Sequence, residues 1–217
     1  LFISVFLIVL VLVFNRQIDF LLTKDLGHNN ANALVIEASG EIGENPDIYI
    51  SRLKNITGVA NATTIYDGFY NQSLYKGFTW DDKPAEKSVY FNMRRVGDDF
   101  FETTQIKIHE GRGFDKGIDK KWTKAVLNQE AINKMGMKDP IGKTISYKDK
   151  PLQIIGIVKD VHLIPVLSNI EPLIFINSEE VNSIVVKMND QTSSERVLSE
   201  IAKVSSSFTI PIICNGL

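Results

Sequence analysis

The 217 residues carry 24 basic and 26 acidic side chains, a net charge of −2, and 44% of them are hydrophobic. This excludes the basic face of a nucleic-acid binder, so nucleic acid is not an expected partner, while the apolar content suffices for one large domain or two small ones. The single cysteine, Cys214, excludes an internal disulfide and with it the small disulfide-rich secreted folds.

The chain opens on LFISVFLIVLVLVF. Leu1 to Phe14 hold no charge and one polar residue, Ser4, and Asn15, Arg16 and Gln17 end the run. A helix needs roughly 20 apolar residues to cross about 30 Å of hydrocarbon. The run is shorter, but residue 1 is Leu rather than Met. The expectation is therefore the outer end of a transmembrane helix, truncated at Leu1, with a stalk, over residues 1–24. Leu1, Phe2, Phe6, Leu7, Leu10, Leu12 and Phe14 are its expected membrane-spanning residues. Arg16 would cost about 2.5 kcal/mol or more at the bilayer centre, so charge begins where the apolar run stops. A signal peptide would want a small-residue cleavage site, which NRQIDF does not offer. A buried core helix would show a polar face, and this run is apolar all round.

After LGHNNAN, a turn-rich break, Ala33 to Ala38 reads as a strand. Asn45 is placed to cap a helix with Pro46 at its first position and Gly58 ending it. Tyr49, Ile50, Leu53 and Ile56 fall near one face. Val59 to Ile65 is a second strand, completing a β-α-β unit. Asp67 to Pro84 reads as a long aromatic loop or loose hairpin, in which Phe69, Tyr75 and Trp80 cover a core edge or bind something. Ser88 to Val96 is a strand. Asp98 is placed to cap a short helical turn, and Gln105 to His109 alternates like a strand. Lys124 to Leu127 is a strand, Asn128 caps a helix and Gly136 closes it. DPIGKTI, PLQIIGIVKDV and PLIFI read as further strands. Ser183 to Met188 is a strand, and TSSE from Thr192 is a capping box. Val197, Leu198, Ile201 and Val204 form a helical stripe, and Phe208 to Ile213 is a last strand. A β-α-β unit thus stands at each end with a strand-rich insert between. The expected class is α+β, with a ferredoxin-like sandwich at the chain ends.

Catalytic and metal-binding patterns are not present in the sequence. His28, His109 and His162 are far from one another and from Cys214, so no metal-ligand spacing exists. There is no GxSxG and no HExxH. Gly142-Lys143-Thr144 ends like a phosphate-binding loop, but Gly136 is one residue too far away and a helix precedes it where a strand is required. No cofactor and no enzymatic activity are expected. Three Asn-x-Ser/Thr sequons, at Asn55, Asn61 and Asn71, matter only in a eukaryotic secretory pathway.

Four runs taken together carry a resemblance: QIDFLLTKDLGHNNANALVI, VGDDFFETTQIKIHEGRGF, AVLNQEAINKMGMKDPIGKTI and LQIIGIVKDVHLIPVLSNIEPLIFI. In this order they resemble the extracytoplasmic core domain of MacB/FtsX-like ABC transporter permeases, of the Bacteroidetes type, over nearly the whole chain. Gly111, Arg112, Asp139, Pro140 and Gly142 match the family motif as turn and packing positions. The resemblance implies a porter-like lobe from residues 32–103 and 171–213, with a sabre-like lobe inserted at 104–170. It implies a bacterial inner-membrane permease with this domain on the periplasmic side, transmitting motion driven by ATP. Its partners would be the membrane, a cytoplasmic ABC ATPase subunit or domain, and a second permease in a homodimer or pair. A periplasmic adaptor is a further candidate. The alternative is a membrane-anchored ligand sensor, for which the aromatic loop is the best support. A tethered hydrolase has no support.

Overall fold

The computed structural model describes residues 6–7, 9–14, 16, 33–68, 74–81, 83, 89–160, 170–189, 194–206 and 214–216. Residues 6–7, 9–14 and 16 are helical. The apolar side chains described between Phe6 and Phe14 are 51–64% exposed. Among the described residues no helix is long and apolar enough to cross a membrane. Leu1 and Phe2 of the expected span lie outside those residues.

The chain-end unit begins with β1 (Ala33–Glu37), α1 (Glu41–Glu44), α2 (Pro46–Lys54) and β2 (Val59–Ile65). It returns with β11 (Ser183–Met188), α5 (Ser194–Ser206) and β12 (Cys214–Gly216). Between them lie β3 (Leu74–Tyr75), β4 (Phe78–Trp80), β5 (Phe91–Val96), α3 (Phe100–Thr104) and β6 (Ile108–Gly111). Then come β7 (Lys124–Asn128), α4 (Gln129–Met135), β8 (Thr144–Tyr147), β9 (Lys150–Val158) and β10 (Leu173–Asn177).

All twelve strands form one mixed sheet, ordered β12-β1-β11-β2-β5-β10-β7-β9-β8-β4, with β3 on β5 and β6 on β9. The first four positions are the ferredoxin-like order. β11 runs antiparallel between β1 and β2, and β12 lies antiparallel outside β1. The reason is helical periodicity. Tyr49 and Leu53 on α2 and Val197 and Ile201 on α5 are buried in one cluster with Leu34, Ile36, Ile184 and Val186 of the sheet. Burying a side chain of this size contributes roughly 2 kcal/mol. The Tyr49 and Ser205 hydroxyls share a hydrogen bond between the two helices. Leu198, expected on the same stripe, is 36% exposed.

Several local expectations are corrected. Asn45 precedes α2, but its side chain makes no capping bond; Pro46 in the first turn begins the helix. Asp98 does not cap α3, whose N-cap position is Asp99, also without a side-chain cap bond. Asp98 instead accepts hydrogen bonds from Asn177 and Lys121. Gln105 does not begin a strand; it ends α3 in the left-handed conformation, φ 57°. The DPIG stretch is a turn, and β8 begins only at Thr144. In the aromatic loop, β3 and β4 form, and β4 pairs with β8. Phe78 and Trp80 are core residues and Tyr75 packs against them. Phe69, the Thr192 capping box and Phe208 to Ile213 lie outside the described residues.

Asn128 caps α4 as expected, accepting from the Ala131 N–H at 2.9 Å. It also accepts from the Leu173 N–H at 2.8 Å and donates to the Glu171 carbonyl at 2.9 Å. One buried side chain thereby joins the start of α4 to the start of β10.

The narrowest junction in the sheet is between β2 and β5, where a single residue pair, Ile65 and Val96, is in register. Two backbone bonds reinforce it: Tyr66 N–H to Arg95 O, and Gly97 N–H to Thr64 O. A buried cluster of Ile65, Val96, Phe100, Phe101, Phe175 and Val185 spans it on one face.

Candidate functional site

The residues of the family motif fall into two places. Gly111 ends β6 opposite Gly156 of β9. The two backbones are so close that a Cβ on Gly111 would stand 2.2 Å from the Ile155 carbonyl oxygen, and one on Gly156 would stand 2.2 Å from the Arg112 carbonyl oxygen. Gly111 also takes φ 73°, which a side chain disfavours. Arg112 then donates to both oxygens of Asp119, at 2.6 and 2.8 Å, a two-pronged pairing that suits the planar guanidinium. The Asp115 N–H donates to the same carboxylate at 2.9 Å. This clamp closes the loop after β6. Asp139, Pro140 and Gly142 sit elsewhere, in the turn between α4 and β8. Asp139 is exposed with φ 48°, and Pro140 is buried. The Gly142 N–H donates to the Ile154 carbonyl, and the Ile154 N–H to the Lys143 carbonyl, both at 2.8 Å. The turn is thereby laid on β9.

The hydrogen bonds from Arg112 hold the Asp119 carboxyl below the usual carboxylate range, against the opposing effect of burial. A depressed carboxylate stabilises the fold above its unfolded value, about 3.9, and that stability is lost as pH falls through the lower folded value. Asp119→Asn is therefore expected to cost about 1 kcal/mol at neutral pH, discounted because Arg112 is half exposed to solvent. The difference from the parent should shrink below about pH 4. Urea unfolding at several pH values measures it; a constant difference down to the acid limit would rule out the charged pair as its source.

A second cross-tie was not legible in sequence. Asp67, just after β2, is buried and accepts from Arg95 of β5 through Nε at 2.9 Å and Nη2 at 2.6 Å. It also accepts the Arg95 backbone N–H and the Tyr75 hydroxyl. Arg95 pairs in addition with Glu180 and stacks 3.8 Å from the centre of the Tyr66 ring. Burial would lower the Arg95 pKa, but the bonds and charge of Asp67 raise it overall. This network ties the narrow β2–β5 junction.

Beside the junction, a cleft of about 700 Å³ opens between α2, the ends of β2 and β5, and the loop after β6. Three lysines line it, each held by an aspartate: Lys54 by Asp99, Lys116 by Asp47 at 3.3 Å, and Lys121 by Asp98 at 2.9 Å. Lys121 also donates to the buried Asn177 side chain at 2.7 Å. Thr63 and Thr64 lie on its floor next to Gly97. The only hint in sequence is two adjacent threonines in an otherwise apolar strand end. Among the described residues no group of three or more His, Cys, Asp and Glu side chains could hold a metal ion. His109 is exposed on β6, and His28 and His162 lie outside those residues.

A ferredoxin-like strand set extended into a larger mixed sheet, in a chain with an apolar helical opening, defines an α+β domain. The family model described as the MacB-like periplasmic core domain matches residues 1–204. The chain belongs to that family, the periplasmic core domain of ABC transporter permeases. A relative named macrolide export ATP-binding/permease protein MacB, from Aggregatibacter actinomycetemcomitans, is 23% identical over 189 residues, covering 79% of this chain and 29% of that protein. The protein of the same name from Neisseria gonorrhoeae is 29% identical over 124 residues, covering 50% of this chain and 19% of that protein. The chain thus spans under a third of these relatives. Among solved structures, the periplasmic region of MacB from Actinobacillus actinomycetemcomitans aligns with a TM-score of 0.62 at 16% identity, covering 88% of this chain and 90% of that one. The extracellular domain of the ABC-type transporter YknZ from Gram-positive bacteria aligns at 0.59 and 12% identity, over 86% and 100%. A domain of a permease protein from Porphyromonas gingivalis aligns at 0.58 and 15%, over 88% and 93%. At these identities the structures establish the fold.

Proposed function

We propose that this chain is the part of an inner-membrane ABC permease that transmits ATP-driven motion to the periplasm, for export or for control of a periplasmic partner. The observation that carries the reading is that one family match covers residues 1–204, so the apolar opening and the folded domain belong to one unit. In this reading Leu1 to Phe14 supply the outer end of a membrane helix, and displacement passes into the sheet as rigid-body movement of packed elements. The chain-end strands, with α2 and α5, act as a porter-like lobe, and residues 104–170 act as an inserted sabre-like lobe joined through β5 and β10. Gly111, Arg112, Asp139, Pro140 and Gly142 hold the turns of the insert and do no chemistry. ATP hydrolysis belongs to a cytoplasmic ABC ATPase, as a subunit or a fused domain. The permease works as a homodimer or pair, and a periplasmic adaptor can dock on the domain.

Affinity purification of the full-length protein from detergent-solubilised membranes tests this. Recovery of a P-loop ATPase in near-stoichiometric amount is the expected result. A full-length protein that lacks a fused ATPase and brings none with it would overturn the reading.

A further inference from the structure

The chain-end unit and the middle of the sheet are joined by backbone along one line. β11 pairs with β2 from Ser183 to Met188, and β10 with β5 from Leu173 to Asn177, but β2 and β5 share only Ile65 with Val96. The chain leaves β2 at Tyr66, whose N–H donates to Arg95 O. It returns between β10 and β11 over the same register pair. The Ser178 N–H donates to Val96 O at 3.1 Å, and the Asn182 N–H to Ile65 O at 3.3 Å. Two bodies connected in this way turn about the connection, as loop-end hinges do. Packing on the two sides of the line is unequal. On one face Ile65 and Val185 meet Val96, Phe100 and Phe175 in one apolar cluster, and such non-directional contacts tolerate small sliding. α2 lies on the opposite face, since Ile184 and Val186 of its cluster flank Val185 along β11. There, the space between α2 and the loop after β6 is the cleft of about 700 Å³. Two ion pairs cross it: Lys54 of α2 with Asp99 at the start of α3, and Asp47 of α2 with Lys116 of the loop. Their side chains are 35–79% exposed, so the attraction is weak and screened by salt. We propose that the β2–β5 junction is a hinge on which the chain-end unit rocks against the middle of the sheet, opening and closing the cleft, and that these two ion pairs are the latch of the closed form. The inference uses the fold alone and stands apart from the permease reading.

The test is a distance across the cleft in the full 217-residue chain in detergent micelles, with its single cysteine replaced by Cys214→Ser. Ile48→Cys on α2 and Ile118→Cys in the loop after β6, 52% and 72% exposed in the parent, carry nitroxide labels for pulsed electron paramagnetic resonance. The Arg112–Asp119 clamp holds that loop to the end of β6, so the second label reports the middle of the sheet. One narrow distance distribution is expected at about 0.01 M salt. At about 1 M salt, where the screening length falls from about 30 to about 3 Å, it should shift several ångströms longer. Asp47→Asn with Asp99→Asn should give the longer distance already at low salt. Both carboxylates are exposed, and Asp99 makes no capping bond, so the melting temperature should hold. The salt series needs neither substitution. Labels at Ile118→Cys and Asn133→Cys, the latter exposed on α4, lie on the same side of the hinge and should keep their distance throughout. A cross-cleft distance that ignores salt overturns the proposal. So does an asparagine pair that leaves it short, or a same-side distance that changes as much, since the loop alone would then be moving.

Discussion

Gly156→Ala is expected to destabilise the fold by about 3 kcal/mol or more, because the new methyl group would stand 2.2 Å from the Arg112 carbonyl oxygen. Backbone cannot rotate aside as a flexible side chain does. β6 must then move off β9, breaking the Arg112 N–H bond to Ile155 O, 2.9 Å in the parent, and disturbing the Arg112–Asp119 clamp that follows. A domain of this size loses roughly 2–4 °C of Tm per kcal/mol, so a drop of about 6–12 °C should be seen by calorimetry. Gly136→Ala is the control. Gly136 has φ 70° but open space around its Cβ position, so only the backbone preference is lost, about 1–2 kcal/mol. If the two variants melted together, the close approach of β6 to β9 would not be the cause.

Asp67→Asn should be comparably severe. The carboxylate takes two guanidinium bonds, a backbone N–H and the Tyr75 hydroxyl, and its side chain is 3% exposed against 14% for Arg95. Removing one charge of a buried pair leaves the other uncompensated, at about 3–5 kcal/mol. The amide also turns an NH₂ toward groups that donate. Glu180 still faces Arg95, which puts the expected loss at the lower end, about 3 kcal/mol. In urea the midpoint should fall with m unchanged. Asp67→Asn combined with Arg95→Met should be less destabilised than Asp67→Asn alone, since the stranded cation is gone. Additive losses would mean that the two residues act separately and that the β2–β5 junction is held by the hydrophobic cluster alone.

The pH response of Asp119 and the severity of Asp67→Asn have a common origin. Both carboxylates sit where loops leave the sheet, and both satisfy arginine donors and backbone N–H groups together. Such side chains replace the ladder bonds that the strands have ceased to provide. The Asp67 pairing reinforces the β2–β5 junction, where a single residue pair is in register, and the Asp119 pairing closes the loop after β6.

Local sequence alone determined the elements that depend on near neighbours. The strands at Ala33, Val59 and Ser183, the helix after Pro46 and the Asn128 cap with its glycine close are set by periodicity and by one or two residues of turn chemistry, and each was legible. So was the family, through the ordered runs from Val96 to Ile176. Where local chemistry offered several partners, tertiary structure chose. Asn45 and Asp98 have capping side chains, yet Asp98 is taken by Lys121 of the turn before β7 and by Asn177 of β10. Gln105 looks like strand in QIKIH, but the helix before it needs a left-handed end. The pairing of β4 with β8, the Asp67–Arg95 tie and the two threonines beneath the cleft join residues 28 to 69 positions apart or lie where strands from both chain ends meet. No periodicity encodes such partners. They follow from the strand order of the sheet, which exists only once the two end units have closed on each other.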